Sequence, residues 1–228
     1  MSMIDNNILQ QYDITVTMTA IDRPEIVNRT LESFAEHLKN ISFTDLHLNI
    51  NIDVINDVSN INSIAKIVNK YFKTCSLYTS DTPNFPAALK RVWGDITTKF
   101  VFHIEDDWVL VSNLNIQDIL DPLSHNNVIQ SIIRPSLYTN HEYIKPCLSP
   151  SIIKTEYINS FIKVLTDDRN PEMQFEEWYN TLNCKYIFPT YPLKNKGGIL
   201  EDIGREWLEY NSIFKKRIGN NRNWIRYE

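Results

Sequence analysis

The 228-residue sequence predicts an α/β fold with a mostly parallel central sheet that is flanked by helices. Over the first ~100 residues, strand and helix patterns alternate, with three helices between four strands. This order favours parallel pairing of the strands through right-handed crossovers. In addition, residues 99–104 (KFVFHI) form a nearly continuous apolar run, which is typical of a strand covered on both faces. The composition, 43% hydrophobic and 22% charged, is that of an ordinary globular chain.

The first half of the chain contains four predicted strands, recognised by alternating or β-branched residues. They are residues 14–19, 46–55, 75–79 and 99–104.

Three helices are predicted between these strands. The first begins at DRPE (22–25), where Asp22 is expected to cap the helix and Pro24 suits its first turn. The other two are the helix that contains residues 64–72 and a short helix over residues 85–93. Each has apolar residues at helical spacing, which predicts one buried face. On the first helix the predicted buried face consists of Val27, Leu31, Phe34, Ala35 and Leu38.

The second half has a less regular pattern. We expect a strand over residues 127–133, helices over 155–165 and 172–182, and a last strand over 185–188. The tail, residues 197–228, begins with the only Gly-Gly pair in the sequence and continues as an aromatic and basic stretch.

Composition excludes several classes of protein. The net charge of −5 argues against a general nucleic-acid coat, which needs a basic surface. Only five glycines occur and none precedes Gly94, so neither a P-loop nor a GxGxxG turn can be written at the start of the fold. Three widely spaced cysteines form no CxxC pair and suit a reducing, cytoplasmic location. No apolar run is long enough for a transmembrane segment.

The strongest chemical signal is the triplet Glu105, Asp106 and Asp107, which ends the most apolar predicted strand. Ligands of open α/β sheets bind at the carboxyl ends of the strands, where three adjacent carboxylates would repel one another. A divalent cation removes that repulsion, and hard oxygen ligands suit Mg²⁺ or Mn²⁺. In extended backbone, Glu105 and Asp107 point to one side and Asp106 to the other. The alternative is an acidic turn that caps the next helix.

The chain resembles the GT-A glycosyltransferases, and its pattern is most similar to the large family 2 type. Residues 17–25 (TMTAIDRPE) resemble that family's first strand and helix start, and residues 54–60 (VINDVSN) resemble its second strand end, with Asn56 in place of one acid. Residues 105–107 (EDD) stand where the family has its DxD motif. The resemblance implies a GT-A (Rossmann-like) fold with a smaller acceptor-side C-terminal part.

By this resemblance, the whole chain, 1–228, is one domain. Residues 13–112 would bind the nucleotide-sugar, residues 113–196 the acceptor, and residues 197–228 would form a lid or tail.

The resemblance also implies roles for individual residues on the donor side. Thr19 and Arg23 would line the base pocket, and Asp57 would accept a hydrogen bond from a base imide, which favours a uracil or thymine nucleotide. For Asp57 the alternative is an Asx turn or a helix cap. The residues implied for the nucleotide are Thr19, Arg23, Asp57, Asn84, Lys90, Arg91 and Asp106, and those for the metal are Glu105 and Asp107.

Acceptor activation is expected from a carboxylate at a helix start. By resemblance, Glu177 is the first choice for this base and Glu176 the second. Around Gly197 and Gly198 we expect a hinged lid, from which Asp202 would supply a further metal ligand.

These features together predict a Mn²⁺- or Mg²⁺-dependent, inverting transfer from a nucleoside-diphosphate sugar, with UDP as the expected nucleotide. The acceptor would be a hydroxyl of a glycan, glycoprotein or lipid-linked molecule, and no nucleic-acid partner is expected. Two alternatives stay open. One is a non-catalytic nucleotide- or carbohydrate-binding domain of the same fold, and the other is a sugar-1-phosphate nucleotidyltransferase.

Overall fold

The structure, a computed structural model, describes residues 12–133, 146–182, 186–190, 199–211, 213–218 and 221–226. Its strands up to the middle of the chain are β1 (Ile14–Ile21), β2 (Leu38–Lys39), β3 (His47–Asp53), β4 (Thr74–Ser80), β5 (Phe100–Glu105), β6 (Trp108–Leu110) and β7 (Leu114–Asn115). The helices of this part are α1 (Pro24–His37), α2 (Asn60–Tyr71), α3 (Phe85–Trp93) and α4 (Ile116–Leu120).

The rest of the chain adds strands β8 (Val128–Ile133), β9 (Ser151–Lys154), β10 (Tyr186–Thr190), β11 (Leu200–Asp202), β12 (Ile213–Ile218) and β13 (Asn221–Arg226). Its helices are α5 (Thr155–Phe161), α6 (Pro171–Asn180) and α7 (Gly204–Tyr210).

Seven strands form the central sheet, in the order β10-β8-β9-β5-β1-β3-β4. Strand β9 runs antiparallel to both of its neighbours, and the other six strands point the same way. The predicted α/β fold with a mostly parallel sheet is therefore confirmed. Strand β9 was not predicted, because the four residues between Pro150 and the start of α5 at Thr155 carry too little periodicity.

Helices cover both faces of the sheet and enclose two apolar cores. One core joins α1 and α2 to the apolar residues of β1 and β3, among them Val16, Met18 and Ile50. The other joins α3, α5 and α6 around Trp93, Phe161 and Phe175. The predicted helix over residues 155–165 is shorter in the structure, since α5 ends at Phe161.

The sheet face beneath α3 is polar although it is buried. The threonines of β1 alternate with apolar residues, and the whole strand is buried. On the covered polar face, Trp93 Nε1 donates to Thr17 Oγ1 at 3.1 Å and Asn49 Nδ2 donates to the Val92 carbonyl at 3.0 Å. His103 Nδ1 and the Thr17 hydroxyl oxygen form a hydrogen bond of 2.9 Å. Helix α3 therefore packs on a hydrogen-bonded layer, and this layer leads to the carboxyl ends of the strands.

The start of α1 differs from the prediction. Arg23 occupies the N-cap position without a side-chain cap, and Pro24 begins the helix. Asp22 is fully buried and instead accepts hydrogen bonds from the backbone N–H groups of residues 55, 56 and 57 at 2.6–3.2 Å. Its carboxylate therefore holds the turn after β3. Ala35 is exposed, and Ile26 and Thr30 are buried in its place.

The described C-terminal residues add small elements beside the sheet. Strand β11 pairs antiparallel with β6, so that Asp202 lies opposite Trp108. Strands β12 and β13 form an antiparallel hairpin. Among the helices of the described ranges, none combines the length and the apolar character needed to cross a membrane.

Candidate functional site

A cavity opens at the carboxyl ends of β1, β3 and β5. Its floor contains Thr19, Asp53 and Glu105, and its volume is about 1130 Å³, including space open to solvent. Its walls include the start of α3, with residues 83–86 and 88, and the start of α6, with residues 170–172. The site thus lies where open α/β sheets bind ligands.

Arg23 is a buried cation that lines this cavity and pairs with two of its acids. Its side chain is 2% exposed and binds the Asp106 carboxylate through two hydrogen bonds, from Nε to Oδ2 and from Nη2 to Oδ1, both 2.8 Å. The same Nη2 donates to Asp107 Oδ2 at 2.8 Å. The third nitrogen, Nη1, is buried and has no hydrogen-bond partner within the described ranges. One arginine therefore pairs with two of the three adjacent acids and neutralises one of their two charges.

Burial and ion pairing act in opposite directions on this group. Burial by itself lowers the pKa of the Arg23 guanidinium, but the charges of Asp106 and then Asp107 outweigh it and raise the pKa above its ordinary value. Burial also raises the pKa of the Asp106 carboxyl, and Arg23 opposes that rise. The backbone adds further support, since the Ile21 N–H donates to Asp106 Oδ2 and Thr30 Oγ1 donates to the Asp106 carbonyl. Both oxygens of the Asp106 carboxylate thus have hydrogen-bond donors within the protein.

Glu105 and Asp107, the two acids predicted to hold a cation, also have partners within the protein. Glu105 Oε2 accepts a hydrogen bond from Trp108 Nε1 at 2.9 Å, and Asp107 shares Arg23 with Asp106. In the part of the chain that the structure describes, no group of three His, Cys, Asp or Glu side chains converges as a metal site. Two hard carboxylates suit Mg²⁺ or Mn²⁺ only when a diphosphate supplies other ligands, which is the usual arrangement for these ions.

Asp53, which the sequence analysis did not select, ends β3 at the cavity floor. Its Oδ1 accepts from Asn51 Nδ2 at 2.9 Å and its Oδ2 accepts from the Asn84 N–H at 3.0 Å. Asn51 in turn accepts from Arg91 Nη1 at 3.0 Å. Burial raises the pKa of the Asp53 carboxyl, while the two hydrogen bonds and the charge of Arg91 hold the rise back.

The described C-terminal segment packs against the acidic cluster from outside. The Ile203 N–H donates to the Asp107 carbonyl at 2.9 Å, and Gly204 is buried against the Asp107 side chain. Trp207 lies over Arg23, with the guanidinium carbon 5.5 Å from the ring centroid, and its Nε1 donates to Glu25 Oε1. Residues 199–210 therefore form a docked wall behind the Arg23 cluster.

Several residues predicted for the nucleotide lie away from the cavity. Asp57 is exposed and accepts from the Ser59 N–H, which lowers its pKa, so it forms the Asx turn that was the alternative interpretation. Lys90 Nζ pairs with Asp167 Oδ1 at 2.7 Å. Arg91 bonds Asn51 and is not among the cavity-lining residues. Thr19, Arg23, Asn84 and Asp106 do line the cavity.

Asn84 has a structural role at this place. Its Oδ1 accepts from the Ala87 N–H at 2.9 Å and so caps α3, while its Nδ2 donates to the Asp167 carbonyl. The cap fixes the wall of the cavity.

The two residues predicted as the base, Glu177 and Glu176, lie outside the cavity lining. Glu177 pairs with Arg169 Nη2 at 2.5 Å and is half-exposed. Glu172, one turn before Glu176 on the same helix, lines the cavity. Burial chiefly raises the pKa of the neighbouring Cys147 thiol to about 11, and the charges of Glu105 and Glu172 add to the rise. Glu105 and Glu172 therefore both lie close enough to Cys147 for their charges to raise its pKa.

Asp202 was predicted as a metal ligand. Its Oδ1 accepts from the Gly204 N–H at 3.0 Å and its Oδ2 pairs with Arg205 Nε at 2.8 Å. The backbone of residues 202–204 lies beside Asp107, but the Asp202 carboxylate supports the start of α7. The predicted hinge at Gly197 and Gly198 lies outside the described residues.

One signal in the sequence points to a site residue that was missed, Asp53. Strand β3 carries polar residues at 47, 49, 51 and 53, and such a row on a sheet that helices cover on both sides predicts a polar network. Trp207 has no comparable signal, because its partners Arg23 and Glu25 lie about 180 residues away in the chain and only the fold brings them together.

Comparison with known proteins finds no match by sequence but several by structure. By sequence, the chain matches no protein-family model and no curated protein. By structure it resembles a mannosyltransferase, PcManGT of Pyrobaculum calidifontis in complex with GDP-Man and Mn²⁺, with a TM-score of 0.58 and 9% identity over 81% of this chain and 56% of the other.

It also resembles TarS of S. aureus, with a TM-score of 0.55 and 12% identity over 77% of this chain and 35% of the other. A complex of TarS residues 1–349 with UDP gives a TM-score of 0.53 and 11% identity, over 77% of this chain and 57% of the other. The chain thus spans less than two thirds of the length of these structures. Together with the sheet order and the cavity at its strand ends, the likeness shows that this chain has a GT-A-like glycosyltransferase fold.

Proposed function

We propose that the protein is a glycosyltransferase that moves a sugar from a nucleoside-diphosphate donor to an acceptor hydroxyl. One observation carries the proposal: the cavity at the strand ends combines Arg23 and the Glu105–Asp107 acids with a separate carboxylate, Asp53, two strands away. At the spacing of neighbouring strands, the two ends of the floor are roughly 10 Å apart. That separation gives the diphosphate and the base of one nucleotide different partners. The TarS complex with UDP and the PcManGT complex with GDP-Man and Mn²⁺ support this class of donor.

The diphosphate end is organised by Arg23. Its cation pairs with two carboxylates and so reduces their repulsion of a nucleoside diphosphate, and its Nη1 is buried without a hydrogen-bond partner in the described ranges. A Mn²⁺ or Mg²⁺ ion, held by Glu105 and Asp107, would stabilise the charge on the departing nucleoside diphosphate. Asp106 orients Arg23 and does not contact the donor in this proposal.

For the acceptor, we propose Glu172 as the general base of an inverting transfer. It stands at the first turn of α6, where the Asn170 side chain caps the helix and fixes its position on the cavity wall. A base must come within hydrogen-bond reach of the acceptor hydroxyl, so a carboxylate on the cavity wall satisfies the geometry better than Glu177, which pairs with Arg169. Glu176 lies on the same helix face as Glu172 and is the second candidate.

The proposal is tested by binding and by turnover. UDP and UDP-sugars are titrated calorimetrically with and without Mn²⁺, and hydrolysis of the bound UDP-sugar is followed by UDP release. Asp107→Asn should lower the gain in affinity that Mn²⁺ provides by about 10–100-fold, whereas Asp118→Asn, an exposed acid on α4, should leave it unchanged.

Glu172→Gln should lower turnover without weakening UDP binding. Absence of binding by any nucleoside diphosphate, with or without Mn²⁺, would contradict the proposal and favour a binding domain for another ligand. Release of pyrophosphate from a nucleoside triphosphate and a sugar phosphate would indicate nucleotidyl transfer instead.

A further inference from the structure

The residues beneath the base end of the cavity form a relay that the proposed function does not yet use. Arg91 on α3 donates from Nη1 to Asn51 Oδ1 at 3.0 Å, and Asn51 donates from Nδ2 to Asp53 Oδ1 at 2.9 Å. Asn51 has no exposed surface, and Asp53 is 6% exposed. The relay therefore connects a half-buried cation to the carboxylate on the cavity floor.

The chemistry of arginine sets the direction of this relay. A guanidinium only donates hydrogen bonds, so the Asn51 side chain must turn its oxygen to Arg91 and its NH₂ group to Asp53. Asn84 supplies a second donor to Asp53 from its backbone. These two hydrogen bonds favour the ionised form of Asp53, which accepts hydrogen bonds and cannot donate them, and they oppose the burial that raises its pKa. About two of its four lone-pair sites then remain for a ligand.

We propose that Arg91 and Asn51 determine the base specificity of the donor site, because they hold Asp53 as an acceptor-only carboxylate that selects a base with a ring N–H. Uracil, thymine and guanine present such an N–H, whereas cytosine and adenine present a bare ring nitrogen that would face the carboxylate without a proton. Arg91 is thus a positioning residue that acts through Asn51. This inference rests on the proposed nucleoside-diphosphate donor.

The electrostatic surroundings define how the selection depends on pH. Burial raises the pKa of the Asp53 carboxyl, and Arg91 is the cation that opposes the rise. The other charged groups that line the same cavity are Arg23, Glu105, Asp106, Asp107 and Glu172. When Arg91 is removed, the pKa of Asp53 rises further. The protonated carboxyl then donates a hydrogen bond, which suits cytosine, at a higher pH than in the wild type.

The test compares UDP with CDP on the full chain. Calorimetric affinities for both nucleotides, with Mn²⁺ present, are measured from about pH 5 to about pH 8 for the wild type, Arg91→Met, Arg91→Lys and the surface control Lys66→Met. The wild type should prefer UDP by about tenfold or more, and Arg91→Met should reduce that preference by about tenfold. In Arg91→Met the decline of UDP binding on acidification should begin at a higher pH. Arg91→Lys should restore part of the preference, and Lys66→Met should behave as the wild type.

Each outcome decides between the relay and the broader proposal. If the wild type binds neither nucleotide, the proposed donor class fails. If the wild type binds UDP but Arg91→Met keeps both its preference and its pH profile, the relay is overturned and the donor class survives. Asp53→Asn provides a second variant in case Arg91→Met does not fold. Its amide both donates and accepts, so it should bind UDP and CDP about equally, and a wild-type preference in this variant would also overturn the relay.

Discussion

Gly204 lies so close to Asp107 that a Cβ at position 204 would stand 2.3 Å from Asp107 Oδ2 and 2.7 Å from its Cβ. Gly204 begins α7, and the residue before it donates its N–H to the Asp107 carbonyl. Close approach, not an unusual backbone conformation, therefore makes glycine necessary here. The position of the Asp107 side chain, which is proposed to hold a cation, therefore depends on Gly204, about 100 positions later in the chain.

Replacing Gly204 with alanine should displace the Asp107 carboxylate, because the carboxylate is the atom group that the new methyl would overlap. We expect a loss of about 1–3 kcal/mol in the free energy of unfolding from overpacking. We also expect Mn²⁺-dependent UDP binding to weaken by about 10–100-fold. Urea unfolding and calorimetry measure these two effects.

Gly94→Ala is the matched control for this substitution. A Cβ at residue 94 would stand 2.8 Å from the Lys90 carbonyl oxygen, at the end of α3, so this variant is crowded as well. It should lose stability while keeping the Mn²⁺ dependence of UDP binding. Equal Mn²⁺-dependent losses in both variants would contradict a specific role for Gly204.

Arg23→Met should be among the most destabilising single substitutions in the described chain. It leaves the fully buried Asp106 carboxylate without its partner, and breaking such a pair costs about 3–5 kcal/mol. Without Arg23, only the hydrogen bond from the Ile21 N–H is left, among the described partners, to oppose the burial and the charge of Asp107 that raise the pKa of Asp106. A raised native pKa costs stability at neutral pH and is relieved as pH falls, so the deficit relative to the wild type should shrink toward about pH 4.

The double variant Arg23→Met with Asp106→Asn completes a thermodynamic cycle with the single variants. Removing both charges should recover much of the stability, since the cost lies in the unpaired carboxylate. Additive losses in the double variant would be inconsistent with a direct pair. Chemical denaturation at several pH values provides all of these free energies.

His103 should make the fold sensitive to acid. Burial lowers the pKa of His103 to about 3, so the folded protein keeps the ring neutral while the unfolded chain takes up a proton near pH 6.5. Its contribution is therefore fully present above about pH 6.5 and is lost as the pH falls, by about 1.4 kcal/mol per pH unit.

Replacing His103 with asparagine should remove this part of the acid sensitivity, even though the variant is less stable at neutral pH. Unfolding free energies from about pH 7 to about pH 4 measure the slope, and His125→Asn, at an exposed histidine, serves as the control. An unchanged slope in His103→Asn would show that other groups dominate the acid response.

Asn84 should contribute to stability as the cap of α3. Asn84→Ala removes the acceptor for the Ala87 N–H and should cost about 1 kcal/mol, whereas Asn84→Ser retains a capping oxygen and should be closer to the wild type. Thermal unfolding compares the two variants. If serine were as destabilising as alanine, the contact of Asn84 Nδ2 with Asp167, and not the cap, would explain the effect.

Most of the first half of the fold could be predicted because its signals are local. The threonine alternation of β1, the Pro24 helix start and the apolar run of β5 each lie within about ten neighbouring residues. The cluster at residues 105–107 was predicted for the same reason. Strand β9 and the β6–β11 pair were not, since each has only three or four residues and is defined by pairing with distant strands.

The sequence by itself determined the α/β class, the succession of the first four main strands along the chain and the acidic cluster at residues 105–107. Only the tertiary structure decided how that charge is used. It directs Arg23 to Asp106 and Asp107, selects Asp53 over Asp57 at the cavity floor, and brings Glu172 rather than Glu177 to the wall. The physical reason is that hydrogen-bonding partners and burial depend on contacts between residues far apart in the chain, which periodicity does not encode.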